Sequence, residues 1–257
     1  MSLTSLILKL AAPLPDLESF QRYLFIGPHP DDIEIGAGAT AAKLAASGKR
    51  VSFLICLDGR YGLEHAPAGT TPEKLTAIRR EEALASARML GVKDVRFLEL
   101  SDGGFYSPED LLQGMARVIG EVQPEVIFAP DPCVTSECHT DHLNVGETAR
   151  RLAFFAPFGN IMTQYGAQSA PVRALAYYMT AKPNRYVKTL GYLPKQLDAI
   201  FACHKSQFPD NSPEAKAIAL YLKLRACDFG LRSLRGQAEG FRVLDATHMH
   251  CLPEAGA

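Results

Sequence analysis

Little in this chain speaks for covalent cross-linking. Its six cysteines, at positions 56, 133, 138, 203, 227 and 251, are widely scattered, and no two stand at CxxC spacing. That spacing argues against a disulfide framework and fits free thiols in a reducing, cytoplasmic compartment. No apolar run approaches the roughly 18 residues that membrane insertion needs. The opening MSLTSLILKLAAPLP has a short apolar run with a single lysine behind it and does not read as a signal peptide. Also missing is any long block of lysine and arginine: 27 basic residues face 28 acidic ones, for a net charge of −1. The one modest basic stretch, 223–235, is broken by Leu, Cys and Phe and reads as ordinary helix and loop surface. Nucleic acid is therefore a poor partner, because phosphate contacts need concentrated positive charge. Linkers, repeats and low-complexity tracts are absent.

What is present is a globular composition of 257 residues, 47% apolar and 21% charged. Such a chain can bury a large core as one α/β domain. Residues 22–27 (RYLFIG) form a short apolar run, expected as a central strand. It stops at Pro28-His29-Pro30-Asp31-Asp32, where two prolines and two aspartates force a turn. Residues 34–47, rich in alanine and glycine, predict a helix ended by Gly48, and 49–57 (KRVSFLICL) predict the next strand. Strand, loop, helix and strand at this length make a βαβ unit and imply a parallel sheet. The pattern recurs: helix 72–90, strand 95–98, helix 109–122, strand 126–129, a polar loop 131–142, helix 143–155, and a strand at 174–179. Helices near 195–204 and 212–224 follow. The expected fold is Rossmann-like, a mostly parallel sheet with helices on both faces. Residues 1–21 are expected as an arm packed on a single domain spanning 22–257.

Ligands of such sheets bind beyond the carboxyl ends of the strands. Both polar loops fall there. His29 and Asp32 are three apart on a tight turn entering a helix, a spacing that can aim both side chains at one point. Asp31 lies between them and points differently. His139 and His142 are again three apart, with Asp141 between them. Taken alone, HPDD could be a capped turn and HxDH a half-buried loop. Together they concentrate His and Asp at one sheet edge, which is costly without a metal. An imidazole–carboxylate–imidazole set with one open position is a catalytic zinc arrangement, and the same donors could hold another divalent metal. A dinucleotide oxidoreductase is excluded, since no GxGxxG follows the first strand and GAGAT at 36–40 lies inside a helix.

GPHPDDIEIG, read with CHTDHLNVG, strongly resembles the LmbE-like (PIG-L type) zinc-dependent N-deacetylases. Agreement extends to Arg79-x-x-Glu82 in a helix ending MLGV, Ser101-Asp102-Gly103, His204-Lys205-Ser206-Gln207 and Ala238-Glu239-x-Phe241, covering about residues 22–245. The resemblance implies a zinc-dependent hydrolase that frees acetate and an amine from a small N-acetylated amino-sugar conjugate. It implies His29, Asp32 and His142 as metal ligands and Asp31 as general base. It implies His139 as the acid or oxyanion stabiliser. Gln237 stands where several members carry a tyrosine that polarises the amide carbonyl; its amide can donate a hydrogen bond to an oxyanion. Asp141 and Glu34 are the reserve bases, Asp141 doubling as a candidate to orient His29 or His142. His248 and His250 either reach the site or lie on the surface. Substrate identity is expected in loops 58–71, with Arg60, Tyr61 and His65, and 156–171, with Asn160, Gln164 and Tyr165. Rival readings are a metal-dependent esterase or other amidase, and a non-catalytic metal- and sugar-binding module. The last has no use for Asp31 beside the metal. A homo-oligomer stays open.

Overall fold

The computed structural model describes residues 11–66 and 68–250. Residues 1–10 of the expected 1–21 arm, Cys251 and the end of the chain lie outside those residues. Within the arm's described part, Leu17 and Phe20 are buried, and Tyr23 Oη donates to both their carbonyls at 2.9 Å.

Five strands build the parallel body: β1 (Arg22–Gly27), β2 (Arg50–Leu57), β3 (Asp94–Leu100), β4 (Val126–Pro130) and β5 (Ala174–Tyr178). Their spatial order is β3-β2-β1-β4-β5, all parallel. Two further strands, β6 (Arg185–Lys188) and β7 (Ala238–Asp245), extend the sheet antiparallel beyond β5 in the order β5-β7-β6. Both were missing from the sequence expectations. β6 is only four residues long, and β7 (AEGFRVLD) interrupts its alternation with glycine and charge. Short strands of this kind are hard to separate from loop by pattern alone.

Helices cover both faces. On one side α1 (Asp32–Ala46) and α2 (Pro72–Leu90) pack over Phe25, Phe53, Phe128 and Phe241. On the other, α3 (Pro108–Val122) and α4 (Thr140–Phe155) pack over Leu24, Ile26, Leu54, Ile127 and Leu175. Both faces of β1 are thus buried, which is why its sequence is an unbroken apolar run rather than an alternation. Helix α2 follows its sequence signals: Thr71 caps its N-terminus by accepting from Lys74 N, and Gly91 closes it at φ 90°. Three more helices follow, α5 (Gly159–Gln164), α6 (Leu193–Asp198) and α7 (Pro213–Ser233), with a π-helical turn at Ala199–Cys203 after α6. Among the described residues no helix is long and apolar enough to cross a membrane.

Helix α1 is kinked at Ala37 (φ −153°, ψ 17°). The freed backbone groups find side chains: Gln196 Nε2 donates to Glu34 O at 2.8 Å, and Glu239 accepts from Ala39 N at 3.2 Å and Thr40 N at 2.7 Å. Gly36 sits against the Tyr178 ring, where a Cβ would stand 2.1 Å from Cδ2. The glycines of GAGAT therefore serve close packing, Gly36 against the sheet and Gly38 against Gln196 of α6.

Candidate active site

The strand order reverses between β1 and β4, and the turns leaving these two strands carry the polar motifs. Leaving β1, the 28–32 turn brings His29 N within 2.8 Å of Asp32 Oδ2, with His29 Nδ1 3.1 Å from the same oxygen. Leaving β4, the 131–139 loop enters α4. His139 caps that helix, its Nδ1 accepting from Asp141 N at 3.3 Å. One residue after Asp141, His142 points its Nε2 to within 3.3 Å of Asp32 Oδ1. The three rings gather: His29 to His139 is 4.9 Å between centroids, His29 to His142 5.5 Å, and His139 stacks on His142 at 4.8 Å.

Donor atoms of His29, Asp32 and His142 lie within 4.8 Å of one another, and so do those of His29, His139 and Asp141. Ligands about 2.0–2.1 Å from a tetrahedral ion stand about 3.3–3.4 Å apart. The 3.1 and 3.3 Å separations around Asp32 fit that shape, and nitrogen with carboxylate oxygen is a donor set for a divalent metal. The remaining contacts orient the rings. His29 Nε2 lies 3.0 Å from Asp141 Oδ2, and Asp141 in turn accepts from Gly103 N at 2.7 Å and Gly104 N at 2.9 Å. His142 Nδ1 lies 3.1 Å from Glu137 Oε2.

Charges follow this geometry. Burial works against a cation at His29, yet Asp141 and Asp32 outweigh it and push the ring up to about 10. His142 is likewise raised to about 9, burial opposing and Asp32 prevailing. Asp32 is held well below its ordinary range: burial opposes the charge, and His142 and His29 overcome it. A ring proton and a metal ion compete for the same nitrogen lone pair, so occupancy by an ion releases protons. Burial pushes Asp31 up to about 6 against the pull of Arg79. His139 is lowered, by burial first and then by its cationic neighbours His29 and His142.

Asp31 is buried beside these donors but belongs to neither donor set. Its φ of 123° is a conformation that side chains rarely adopt. Buried Arg79 of α2 holds it there, with Nη2 donating to Pro30 O at 2.8 Å and Asp31 Oδ2 at 3.3 Å, and Nη1 to Gly59 O at 3.2 Å. The motifs quoted for the resemblance turn out to be linked. Glu82 accepts from Ser206 N at 2.8 Å and Ser206 Oγ at 2.6 Å. Glu34 accepts from Ser86 Oγ and lies 3.4 Å from His204 Nε2, so this reserve base is already engaged.

A match to the GlcNAc-PI de-N-acetylase (PIG-L) family spans residues 24–153, which contain both loops. The chain belongs to this family. Among its relatives, diacetylchitobiose deacetylase from Thermococcus kodakarensis is 31% identical over 98% of this chain and 93% of its own length. 1D-myo-inositol 2-acetamido-2-deoxy-alpha-D-glucopyranoside deacetylase from Kineococcus radiotolerans is 31% identical over 69% of this chain and 56% of its own. The structure of N,N'-diacetylchitobiose deacetylase from Pyrococcus horikoshii superposes with a TM-score of 0.86 at 29% identity, covering 98% of this chain and 97% of that one. A 4-carboxy-2-hydroxymuconate hydratase from Pseudomonas putida also shares the fold (TM-score 0.74, 19% identity, covering 88% and 96%), so the fold alone does not choose the reaction. Family membership makes this chain a metal-site hydrolase of amide C–N bonds in an amino-sugar substrate.

Other candidates from the sequence make the following contacts. Gln237 precedes β7; its N–H donates to Arg235 O at 3.1 Å and its carbonyl accepts from Thr189 N at 2.9 Å. Neither partner belongs to the histidine cluster. His248 Nδ1 binds Asp245 Oδ1 at 2.6 Å, and His250 lies 5.5 Å from the Phe154 ring. Arg79, Glu137 and the Gly103–Gly104 amides had no site role assigned from sequence. Arg79 and Gly103 were visible within motifs; Glu137, five residues before His142, carried no signal.

Proposed function

We infer that the chain is a zinc-dependent deacetylase that removes acetate from an N-acetylated glucosamine unit in a small sugar conjugate. The observation carrying this reading is a buried, arginine-held Asp31 standing unliganded beside a two-histidine, one-carboxylate donor set. A module that only bound metal or sugar would not need it. His29, Asp32 and His142 would hold the ion. Bound there, zinc would supply a Lewis acid for the acetyl carbonyl and favour ionisation of a water. Asp31 accepts the proton of the attacking water, its orientation fixed by Arg79. His139, whose Nδ1 accepts from the α4 backbone, keeps its proton on Nε2 and hydrogen-bonds the oxyanion with it, while the proton that Asp31 took from the water passes to the leaving nitrogen. Asp141 fixes the His29 ring and is thereby withdrawn from the base role. Gln237, whose amide cannot give up a full proton, would serve only as a hydrogen-bond donor to the oxyanion.

The same reading takes residues 22–257 as the catalytic domain and 1–21 as an arm on it, supported by buried Leu17 and Phe20. It places the protein in the cytoplasm, supported by five unpaired cysteines among the described residues. The deciding experiment is product analysis with metal-loaded protein and a panel of N-acetylated amino sugars and simple esters. Acetate with a free amine is expected from the sugars. Ester cleavage without amide cleavage would favour the esterase reading.

A further inference from the structure

Two aromatic rings are left in water beside the histidine cluster. Phe105 is 72% exposed and Tyr61 51%, and they meet edge to face with centroids 5.6 Å apart. A large apolar surface held in solvent is the informative kind of exposure. Here the backbone that carries the rings is also held in place. Gly103 and Gly104, at φ 73° and 80°, aim successive amides at Asp141, the carboxylate that contacts His29. Phe105 is the next residue, about 3.8 Å along the chain, and its N–H returns to Asp102 O at 3.4 Å. Tyr61 is tied to the same turn, with its N–H 3.3 Å from both Asp102 carboxylate oxygens. Its own loop is pinned on either side, at Gly59 O by Arg79 and at Gly62 O by Gln207 Nε2 at 3.1 Å. The two rings flank Gly103: a Cβ there would lie 3.3 Å from Phe105 Cδ2 and 3.7 Å from Tyr61 Cδ2.

We propose that Tyr61 and Phe105 form a stacking platform for a second pyranose ring, next to the sugar whose acetamide is cleaved. The proposal rests on the deacetylase reading for the cleaved sugar. A pyranose has one face of C–H groups, which packs on a flat aromatic face while the hydroxyls stay in water. The platform stands one short turn from the carboxylate that contacts His29. The tied backbone matters, because a segment already ordered loses less freedom on binding. A platform of this kind selects an acetylated disaccharide over the monosaccharide and leaves chemistry at the acetamide to the other residues.

The test uses the full metal-loaded chain with N,N'-diacetylchitobiose and N-acetylglucosamine as probes. We expect the wild type to prefer the disaccharide in kcat/KM. Phe105→Ala should lower that preference on the order of tenfold, as expected for one lost aromatic contact. The change should appear in KM rather than kcat, Tyr61→Ala should act in the same direction, and Phe105→Tyr should restore the preference. Equal losses on both sugars, an unchanged preference, or no preference in the wild type would overturn the platform. Calorimetric titration of the disaccharide separates this from the underlying reading. Binding that weakens in Phe105→Ala, without turnover of either sugar, would uphold the platform and sink the deacetylase assignment. Neither binding nor turnover would sink both.

Discussion

Asp31 and Asp32 are adjacent, both buried, and yet oppositely poised: burial raises the first while two histidines hold the second down. The difference arises from direction. Asp32 starts α1 and faces His29 and His142, whereas the unusual φ of Asp31 turns it toward Arg79. Asp31→Asn should therefore keep the ion and lose on the order of 10²–10⁴-fold in kcat, the usual worth of a positioned base. Near-native turnover in that variant would place the base elsewhere. Replacing His29, Asp32 or His142 by Ala should instead lower bound metal, measured by elemental analysis of dialysed protein, with circular dichroism largely unchanged. Full metal retention in all three would refute the ligand set. HPDD and HxDH were visible in the sequence because they concentrate chemistry in a few letters. Arg79 was visible as part of a helical motif but without a role: its partners, Pro30 O and Asp31, are far off in the chain and join it through packing alone.

At the scale of elements, the kink in α1 carries the site. The helix begins at Asp32 and breaks at Ala37, and Glu239 from β7 accepts the amides of its second half. Burial raises Glu239 to about 7, the amide hydrogen bonds opposing. The folded pKa exceeds the ordinary glutamate value of about 4.3. The stability this group contributes is thus complete below about 4.3 and is lost as pH rises through about 7. Wild-type urea midpoints should fall over that interval in step with this titration. Glu239→Gln should flatten the fall, at the cost of one unsatisfied α1 amide and about 1–3 kcal/mol. An identical slope in the two proteins would show that Glu239 does not titrate there. Element type and order from β1 to β5 were legible because long periodic segments alternate apolar runs with helical stripes. The β6–β7 pair was not, since its antiparallel register depends on what β5 leaves unpaired at its open edge.

For the whole molecule, Asp131 and Arg242 join the parallel body to the added antiparallel strands. Asp131 directly follows β4 at the start of the metal-side loop; Arg242 reaches it from β7, Nε to Oδ2 at 2.8 Å, with its guanidinium 4.5 Å over the Tyr177 ring. Burial opposes the Asp131 charge, but Arg242, Thr180 and the Cys133 amide hold the carboxyl below its ordinary range. A depressed carboxyl contributes stability above its unfolded pKa of about 3.9 that is lost as pH falls through the lower folded value. Asp131→Asn would strand a buried guanidinium. It should cost about 3–5 kcal/mol in urea unfolding near neutral pH and show less further loss on acidification than wild type. A neutral substitution would mean that solvent reaches the pair.

By itself the sequence determined the fold class, the two loops that carry the chemistry and the family, because hydrophobic period and short motifs are local properties. Tertiary structure alone decided which side chains meet. Asp141 goes to His29 and Arg79 to Asp31. Those pairings cross up to 112 residues of chain. No local pattern encodes them: they follow from strands stacking in the order β3-β2-β1-β4-β5, which sets the ends of β1 and β4 side by side.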